Sequence, residues 1–230
     1  MKPKKDRFFY RFWIKESGLS SMLMLLFVMH FIVIPLFGNH TSFMIMLNIF
    51  WLLMLLSGIF ALAKNRQQAV RYAMIPFLFI TCQWTAIFYS GVFIVWSDFF
   101  LTIITGMILI VLVLIKVFEP GPVTKHRIIG SIVVYMLLAN LWTVVYLFIF
   151  HHIEGSFQLT SSRFKISSDQ ARFMYFSYIT ITTTGFGEIV PLHPLARSLV
   201  VLEALFGVLY PVILIGRLVS DADFSRKQKL

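Results

Sequence analysis

Charged residues are scarce in this sequence, and it contains a single cysteine. Of its 230 residues, 13% are charged, whereas a soluble domain has roughly 25%. Cys82 lies in an apolar stretch, so an intrachain disulfide and a cysteine-rich metal site are excluded. We also find no His/Asp/Glu spacing typical of a metal centre and no nucleophile beside a base. The sequence therefore predicts neither an enzyme nor a bound cofactor.

The formal charge of +10 does not indicate a nucleic-acid partner. Such binding requires the Lys and Arg residues to converge on one solvated face, and here they are scattered between apolar blocks. Hydrophobic residues make up 59% of the chain. A bilayer core about 30 Å thick needs roughly 20 mostly apolar residues per spanning helix. The composition therefore predicts an integral membrane protein surrounded by lipid.

Six apolar blocks predict an all-α fold with six transmembrane helices. We place these helices at about 19–37, 43–63, 72–96, 98–118, 128–150 and 195–219. The two termini and the loops after the second and fourth helices hold 16 of the 20 basic residues. Because Lys and Arg are enriched in cytoplasmic loops, both termini are predicted to be cytoplasmic. We expect a multi-pass protein of the plasma or inner membrane.

A different segment, 151–194, separates the fifth and sixth predicted helices. From Asp169 it reads DQARFMYFSYITITTTGFGEIVPLHPLAR. Ser168 or Asp169 can cap a short helix at about 170–182 by accepting from its free amides. This helix is too short to span a bilayer, so we expect it to enter the membrane and return. Re-entrant backbone is tolerated only where protein buries it or where it lines a water-filled cavity. The segment therefore predicts a pore or a site.

Two glycines flank one aromatic residue in the run that follows, TTTGFG at 182–187. Glycine readily adopts backbone angles closed to other residues, so the carbonyls of this run can all point in one direction. A ring of such carbonyls from four subunits can replace the water shell of an ion. The partly negative C-terminal end of the short helix favours a cation.

The pattern T-T-x-G-[YF]-G-[DE] after an aromatic pore helix resembles the selectivity filter of tetrameric potassium channels. Pro191, Pro194, Arg197 and a last span containing Gly207 accompany it, and the resemblance covers roughly 128–219. It implies a pore domain at 119–230. Residues 1–118 match only the general layout of a four-helix voltage-sensor region. Within the pore domain, the resemblance implies an outer helix at 128–150, a pore helix at about 170–182, a filter at 182–188 and an inner helix at 195–219.

The resemblance also implies roles for individual residues. The stacked K⁺ sites would lie at Thr183, Thr184, Gly185 and Phe186, and Gly187 would open the outer mouth. Glu188 would support the filter from behind and add negative charge near the entrance. The ion-binding filter as a whole would comprise Thr182, Thr183, Thr184, Gly185, Phe186 and Gly187.

Three positions depart from the commonest filter of this family, which has Val, Tyr and Asp where this chain has Thr184, Phe186 and Glu188. Phe186 lacks the phenol hydroxyl that usually tethers the filter to the pore helix. Thr184 places a hydroxyl where an apolar side chain normally packs. Both changes could loosen the filter, so a non-selective cation channel stands as the alternative to a potassium-selective one.

The last predicted helix carries three further candidates. Gly207 lies where family members often have a hinge glycine, and Pro211 removes a helix hydrogen bond one turn later. These two positions are gating-hinge candidates, with close packing and a static kink as the alternative. Glu203 is the one carboxylate deep in a predicted span, where burial is costly. We expect it to support the filter, to contact another subunit or to line the pore.

The fourth predicted helix has no basic residue at three-residue spacing, and only Lys116 lies at its cytoplasmic end. Voltage sensing requires several charges within the membrane field, so we expect weak voltage dependence. One pore loop per chain predicts a homotetramer. A transporter is a less favoured interpretation because no internal repeat is evident, and a non-conducting membrane subunit is a further alternative.

Overall fold

The computed structural model describes residues 17–34, 49–50, 91–118, 123–160 and 168–227. All but residues 49–50 of the predicted helix at 43–63, and most of that at 72–96, lie outside these ranges. The described residues are mostly helical, with five α-helices and a two-stranded ribbon. In chain order these are α1 (Ser17–Val28, followed by a π-helical turn, Met29–Val33), α2 (Val92–Val117), α3 (Lys125–His152), β1 (Phe157–Leu159), α4 (Asp169–Ile181), β2 (Ile189–Pro191) and α5 (Pro194–Lys227).

Three helices in the described part of the chain are long and apolar enough to cross a membrane. They are α2, α3 and the Pro194–Ser220 portion of α5. A shorter apolar stretch, Met22–Val33, lies in α1 and its π-helical turn. These helices support a multi-pass membrane protein. The count of six spans and the sidedness of the termini stay predictions.

The start of α2 corrects one predicted boundary. The sequence predicts that one span ends at 96 and that the next begins at 98, but residues 92–96 belong to α2. Ser97 does not interrupt the helix, and its hydroxyl donates to the Phe93 carbonyl at 2.7 Å, a bond found for serine within helices. At the other end of α2, Arg127 Nε donates to the Val117 carbonyl at 2.7 Å, where a cation is favourable.

The two long helices of the predicted pore domain, α3 and α5, extend beyond their predicted bounds. α3 extends to Lys125 and His152 beyond the predicted 128–150. α5 begins at Pro194, a residue favoured at the first helical position, and continues to Lys227 past the predicted end at 219. The hydropathy pattern marks the apolar part of a helix, whereas the backbone stays helical into the polar residues that follow.

The described residues fall into two compact units. The first contains 17–27, 49–50, 91–118 and 125–134, and the second contains 28–34, 123–124, 135–160 and 168–227. The second unit has a buried core formed by α3, the ribbon, α4 and α5. Its centre is an aromatic cluster of Tyr146, Phe157, Phe173 and Phe176. The division into domains at 118 stays a prediction.

A short two-stranded ribbon, which was not predicted from the sequence, accompanies the helices. β1 pairs antiparallel with β2, so that Phe157 faces Pro191 and Leu159 faces Ile189. Alternate residues of a strand point to the same face, so Phe157 and Leu159 share a face with Ile189, the partner of Leu159. Phe157 and Ile189 are both buried. Two strands of three residues each carry too little periodicity to be recognised.

Candidate functional site

The short helix α4 lies against α3 and the ribbon through its aromatic residues. Phe176 packs on Tyr146 with ring centroids 5.1 Å apart, and Phe173 packs on Phe157 at 5.0 Å. Ser168 Oγ accepts from the Ala171 amide at 3.2 Å, which confirms the predicted cap. With 13 residues at about 1.5 Å each, α4 is shorter than a bilayer core is thick, about 30 Å.

The last carbonyls of α4 are paired with the amides that follow the helix. The Tyr178 carbonyl accepts from the Thr182 amide, and the Thr180 carbonyl accepts from the Thr183 amide at 2.9 Å. The Ile179 carbonyl accepts from the amides of Thr184 and Gly185 at 2.8 and 3.0 Å. These bonds satisfy carbonyls that a helix end leaves without partners. They also turn the N–H groups of the run 182–185 towards α4.

The run 182–187 alternates between two backbone conformations. Thr183, Gly185 and Gly187 have positive φ angles of 58°, 54° and 79°, while Thr184 and Phe186 between them do not. Alternating left- and right-handed residues place successive N–H groups on one side of the chain, and the carbonyls therefore lie on the other side. A trans peptide bond sets each carbonyl opposite to the N–H group of the next residue. Since the amides of Thr183, Thr184 and Gly185 face α4, the carbonyls of the three threonines, 182–184, point away from it. All six residues of the run are exposed in a single chain.

Thr183 is the only non-glycine residue with a positive φ among those the structure describes. A β-branched residue in this region is a genuine outlier, and such backbone costs about 1–3 kcal/mol. Strain of this kind persists where the surroundings impose it, and it clusters at functional sites. Thr182 Oγ1 and Thr184 Oγ1 lie 3.0 Å apart, so the Thr184 hydroxyl has a hydrogen-bond partner within the run.

A hydrogen bond ties the outer end of the run to α4. The Tyr175 hydroxyl donates to Glu188 Oε2 at 2.5 Å, and the Glu188 carbonyl accepts from the Thr160 amide at 2.9 Å, at the edge of the ribbon. Partial burial, together with the hydrogen bond and the negative charge of Glu188, raises the pKa of Tyr175 to about 12. The phenol therefore stays protonated and able to donate at neutral pH.

Glu203 is completely buried between α3, α4 and α5. Tyr146 donates to its Oε2 at 2.6 Å, and the Ser177 hydroxyl lies 2.5 Å from its Oε1. The Ser177 hydroxyl also lies 2.7 Å from the Ala139 carbonyl. The carboxyl group thus joins α3, α4 and α5 through hydrogen bonds. It does not lie on an open surface.

Gly207 lies where α5 packs against the end of α4. A Cβ atom at this position would be 1.9 Å from the Ile181 carbonyl oxygen, so no other residue fits without separating the helices. Pro211 lies inside α5, which is helical on both sides of it. The structure thus supplies a packing reason for Gly207, and a hinge at Gly207 or Pro211 stays a hypothesis.

Four side chains that the structure brings to this site were not predicted from the sequence: Tyr135, Tyr146, Tyr175 and Ser177. Each offers a hydroxyl to a carboxyl or a carbonyl group. Hydroxyl-bearing residues within otherwise apolar helices were the available signal, but their partners are 13 to 72 residues away in the chain. Among the described residues, no group of three or more His, Cys, Asp or Glu side chains could hold a metal ion.

Residues 128–222 match the model of a protein family described as an ion channel. The match covers nearly all of α3, the ribbon, α4 and most of α5. No curated protein and no solved structure matches the chain. The family match and the apolar helices support an ion channel in a lipid membrane, which is a kind of protein that is not an enzyme and that generally assembles from several subunits.

Proposed function

We propose that the chain is a subunit of a potassium-selective channel, with K⁺ moving passively through a pore that four copies surround. The observation that carries this proposal is the alternation of φ along 182–187, combined with the bonds that hold the amides of this run against α4. One face of the run is thereby left as a row of carbonyl oxygens. Four such rows around an axis would form rings of oxygens that replace the hydration shell of a cation.

Each residue of the proposed filter has a distinct part in this pore. Stacked K⁺ sites would lie between the carbonyls of Thr183, Thr184, Gly185 and Phe186, with the Thr183 hydroxyl contributing at the inner end. Thr182 begins the filter and Gly187 opens its outer mouth. We further propose that α4 re-enters the membrane, so that its partly negative C-terminal end favours a cation at the inner end of the filter.

The contacts at both ends of the run support potassium selectivity. Filter geometry must be held closely for oxygens to substitute for water around one ion better than around another. At the inner end, backbone bonds to the Ile179 and Thr180 carbonyls hold the run. At the outer end, the Tyr175–Glu188 bond supplies a tether, which offsets the hydroxyl that Phe186 lacks.

A non-selective cation channel is the second candidate. The observation that favours it is the exposure of Phe186, which is 67% accessible in a single chain and whose ring has no hydroxyl to anchor it. Rings of carbonyls that are free to spread would coordinate K⁺ and Na⁺ with similar energies. The two candidates differ in ion preference alone, so one electrical measurement separates them.

The test is the reversal potential of purified protein in planar bilayers under opposed K⁺ and Na⁺ gradients. The proposal expects a value near the potassium equilibrium potential. A value near zero would favour the non-selective pore, and the absence of current under every condition would contradict both. Gly185→Ala should shift the reversal potential towards zero because Gly185 needs a positive φ of 54°. Gly155→Ala is the matched control, since Gly155 has a similar φ of 69° in the outer turn.

The assembly is tested separately by size-exclusion chromatography with multi-angle light scattering in detergent. A homotetramer should contain four copies of the chain, and a stable monomer would contradict the proposed pore. We also propose that residues 1–118 form a four-helix region beside the pore domain 119–230. Both termini would face the cytoplasm, in a plasma or inner membrane. Permeant K⁺ and lipid are the only ligands that this mechanism requires.

A further inference from the structure

Tyr135 on α3 reaches the junction between α4 and the run 182–187. Its hydroxyl donates to the Ile181 carbonyl at 2.8 Å. Ile181 is the last residue of α4, and its carbonyl is one of those that a helix end leaves without an internal partner. The preceding three carbonyls accept from the amides of the run. Tyr135 therefore supplies the donor for the last carbonyl before the proposed filter.

The same hydroxyl also lies 3.4 Å from the Gly207 carbonyl of α5. In an unbroken helix this carbonyl would accept from the amide four residues later, but that residue is Pro211, which has no N–H. The proline thus frees the carbonyl that Tyr135 approaches. Because Gly207 has no side chain, its backbone can lie close to the Ile181 carbonyl. The Tyr135 hydroxyl lies within hydrogen-bonding reach of both.

We propose that Tyr135 is a positioning residue that couples bending of the inner helix at Pro211 to the carbonyl immediately before the filter. This inference rests on the proposed function. One hydroxyl hydrogen is shared between two carbonyls, and the shorter distance gives Ile181 the larger share. A bend of α5 at Pro211 changes the distance to Gly207 and hence the share that Ile181 receives. A movement of α5 thereby changes the hydrogen bond to the carbonyl immediately before the filter, through a residue that lies outside the ion path.

The Tyr135 ring is held in place by a second aromatic residue. Tyr210 of α5 stacks on it, with centroids 6.0 Å apart and planes inclined by 24°. Because Tyr210 is the neighbour of Pro211, the ring that orients the hydroxyl moves with the helix segment that bends. The stacking and the hydrogen bond therefore both connect Tyr135 to the same part of α5.

The test compares Tyr135→Phe with a matched control, Tyr178→Phe, in planar bilayers. Both changes remove one hydroxyl and keep the ring. The Tyr178 hydroxyl is buried and has no hydrogen-bond partner among the described residues. Tyr135→Phe should change the open-to-closed ratio about fivefold, as expected for the loss of a hydrogen bond, and should lower the K⁺/Na⁺ permeability ratio. Tyr178→Phe should change both by less than about twofold.

Pro211→Ala provides the test of coupling, because alanine restores the amide that pairs with the Gly207 carbonyl. In this background Tyr135→Phe should change the open-to-closed ratio by less than about twofold, while its effect on permeability through Ile181 should persist. The inference would be overturned if Tyr135→Phe changed the open-to-closed ratio by the same factor in the wild-type and the Pro211→Ala backgrounds. A Tyr135→Phe channel that matches Tyr178→Phe in both measurements would do the same.

The outcomes separate this inference from the proposed function. Wild-type potassium current with an unaffected Tyr135→Phe channel would overturn the inference alone, whereas wild-type protein without current would overturn both. If Tyr135→Phe does not assemble, 3-fluorotyrosine at position 135 replaces it. This residue keeps the hydroxyl and makes it a stronger donor, so the open-to-closed ratio should shift away from the wild-type value only if the hydroxyl acts on gating.

Discussion

Removing the carboxyl of Glu203 should destabilise the protein by an amount that its buried partners determine. Tyr146 and Ser177 direct hydroxyl groups at its two oxygens from 2.6 and 2.5 Å. In Glu203→Ala, Tyr146 loses its acceptor, while Ser177 still has the Ala139 carbonyl at 2.7 Å. A buried polar group without a partner costs about 1–3 kcal/mol, and the cavity adds to this. We therefore expect a loss of about 2–4 kcal/mol.

Glu203→Gln should be far better tolerated. Ser177 has one hydroxyl hydrogen and two nearby acceptors, Glu203 Oε1 and the Ala139 carbonyl. A glutamine amide would donate to the Ser177 oxygen and leave the serine hydrogen for Ala139. Its carbonyl oxygen would still accept from Tyr146. Every partner is then satisfied, so the expected cost is below about 1 kcal/mol.

The assay is thermal unfolding of the purified assembly in detergent. At about 2–4 °C per kcal/mol for a chain of this size, Glu203→Ala should lower Tm by roughly 4–16 °C and Glu203→Gln by less than about 4 °C. Glu154, which is exposed, provides the control, and Glu154→Ala and Glu154→Gln should leave Tm unchanged. A Glu203→Ala protein as stable as wild type would refute the reasoning. A glutamine variant as unstable as the alanine variant would show that charge, rather than hydrogen bonding, matters at this position.

Two further predictions concern the ends of the run 182–187. Gly207→Ala should force α5 away from Ile181, because its Cβ would be 1.9 Å from the carbonyl oxygen, and should shift the reversal potential towards zero. Gly216→Ala has free space around it and should change nothing, whereas an unaltered Gly207→Ala channel would contradict the close approach. At the outer end, the pKa of Tyr175 is raised to about 12 from about 10 in unfolded chains. Its contribution to stability is therefore complete below about pH 10 and is lost as the pH rises through about 12. The Tm difference between wild type and Tyr175→Phe should be constant from about pH 6 to 9 and shrink above about pH 10, and a difference that titrates near pH 7 would be inconsistent with this bond.

Local features of the sequence were sufficient for part of the fold. The apolar runs of α3 and α5 predicted both helices, since burying an unpaired backbone in lipid is so costly that a long apolar run becomes a helix. Their ends were less well predicted, as was the start of α2 at Val92. Ser168 was identified as a possible cap because capping depends on neighbouring residues alone. The spacing of Gly185 and Gly187 indicated unusual backbone in the right place.

The contacts that hold this backbone depend on the packing of helices and were not predictable from the sequence. Tyr146 and Glu203 are 57 residues apart, and Tyr135 and Gly207 are 72 apart. Which hydroxyl meets which acceptor depends on the rotation and crossing of α3, α4 and α5, and one helical step in any of them would change every pair. The sequence by itself determined a membrane-embedded chain and the position of a loop with unusual backbone. Only the tertiary structure decided how that loop is held, because its supports come from residues that are distant in the chain.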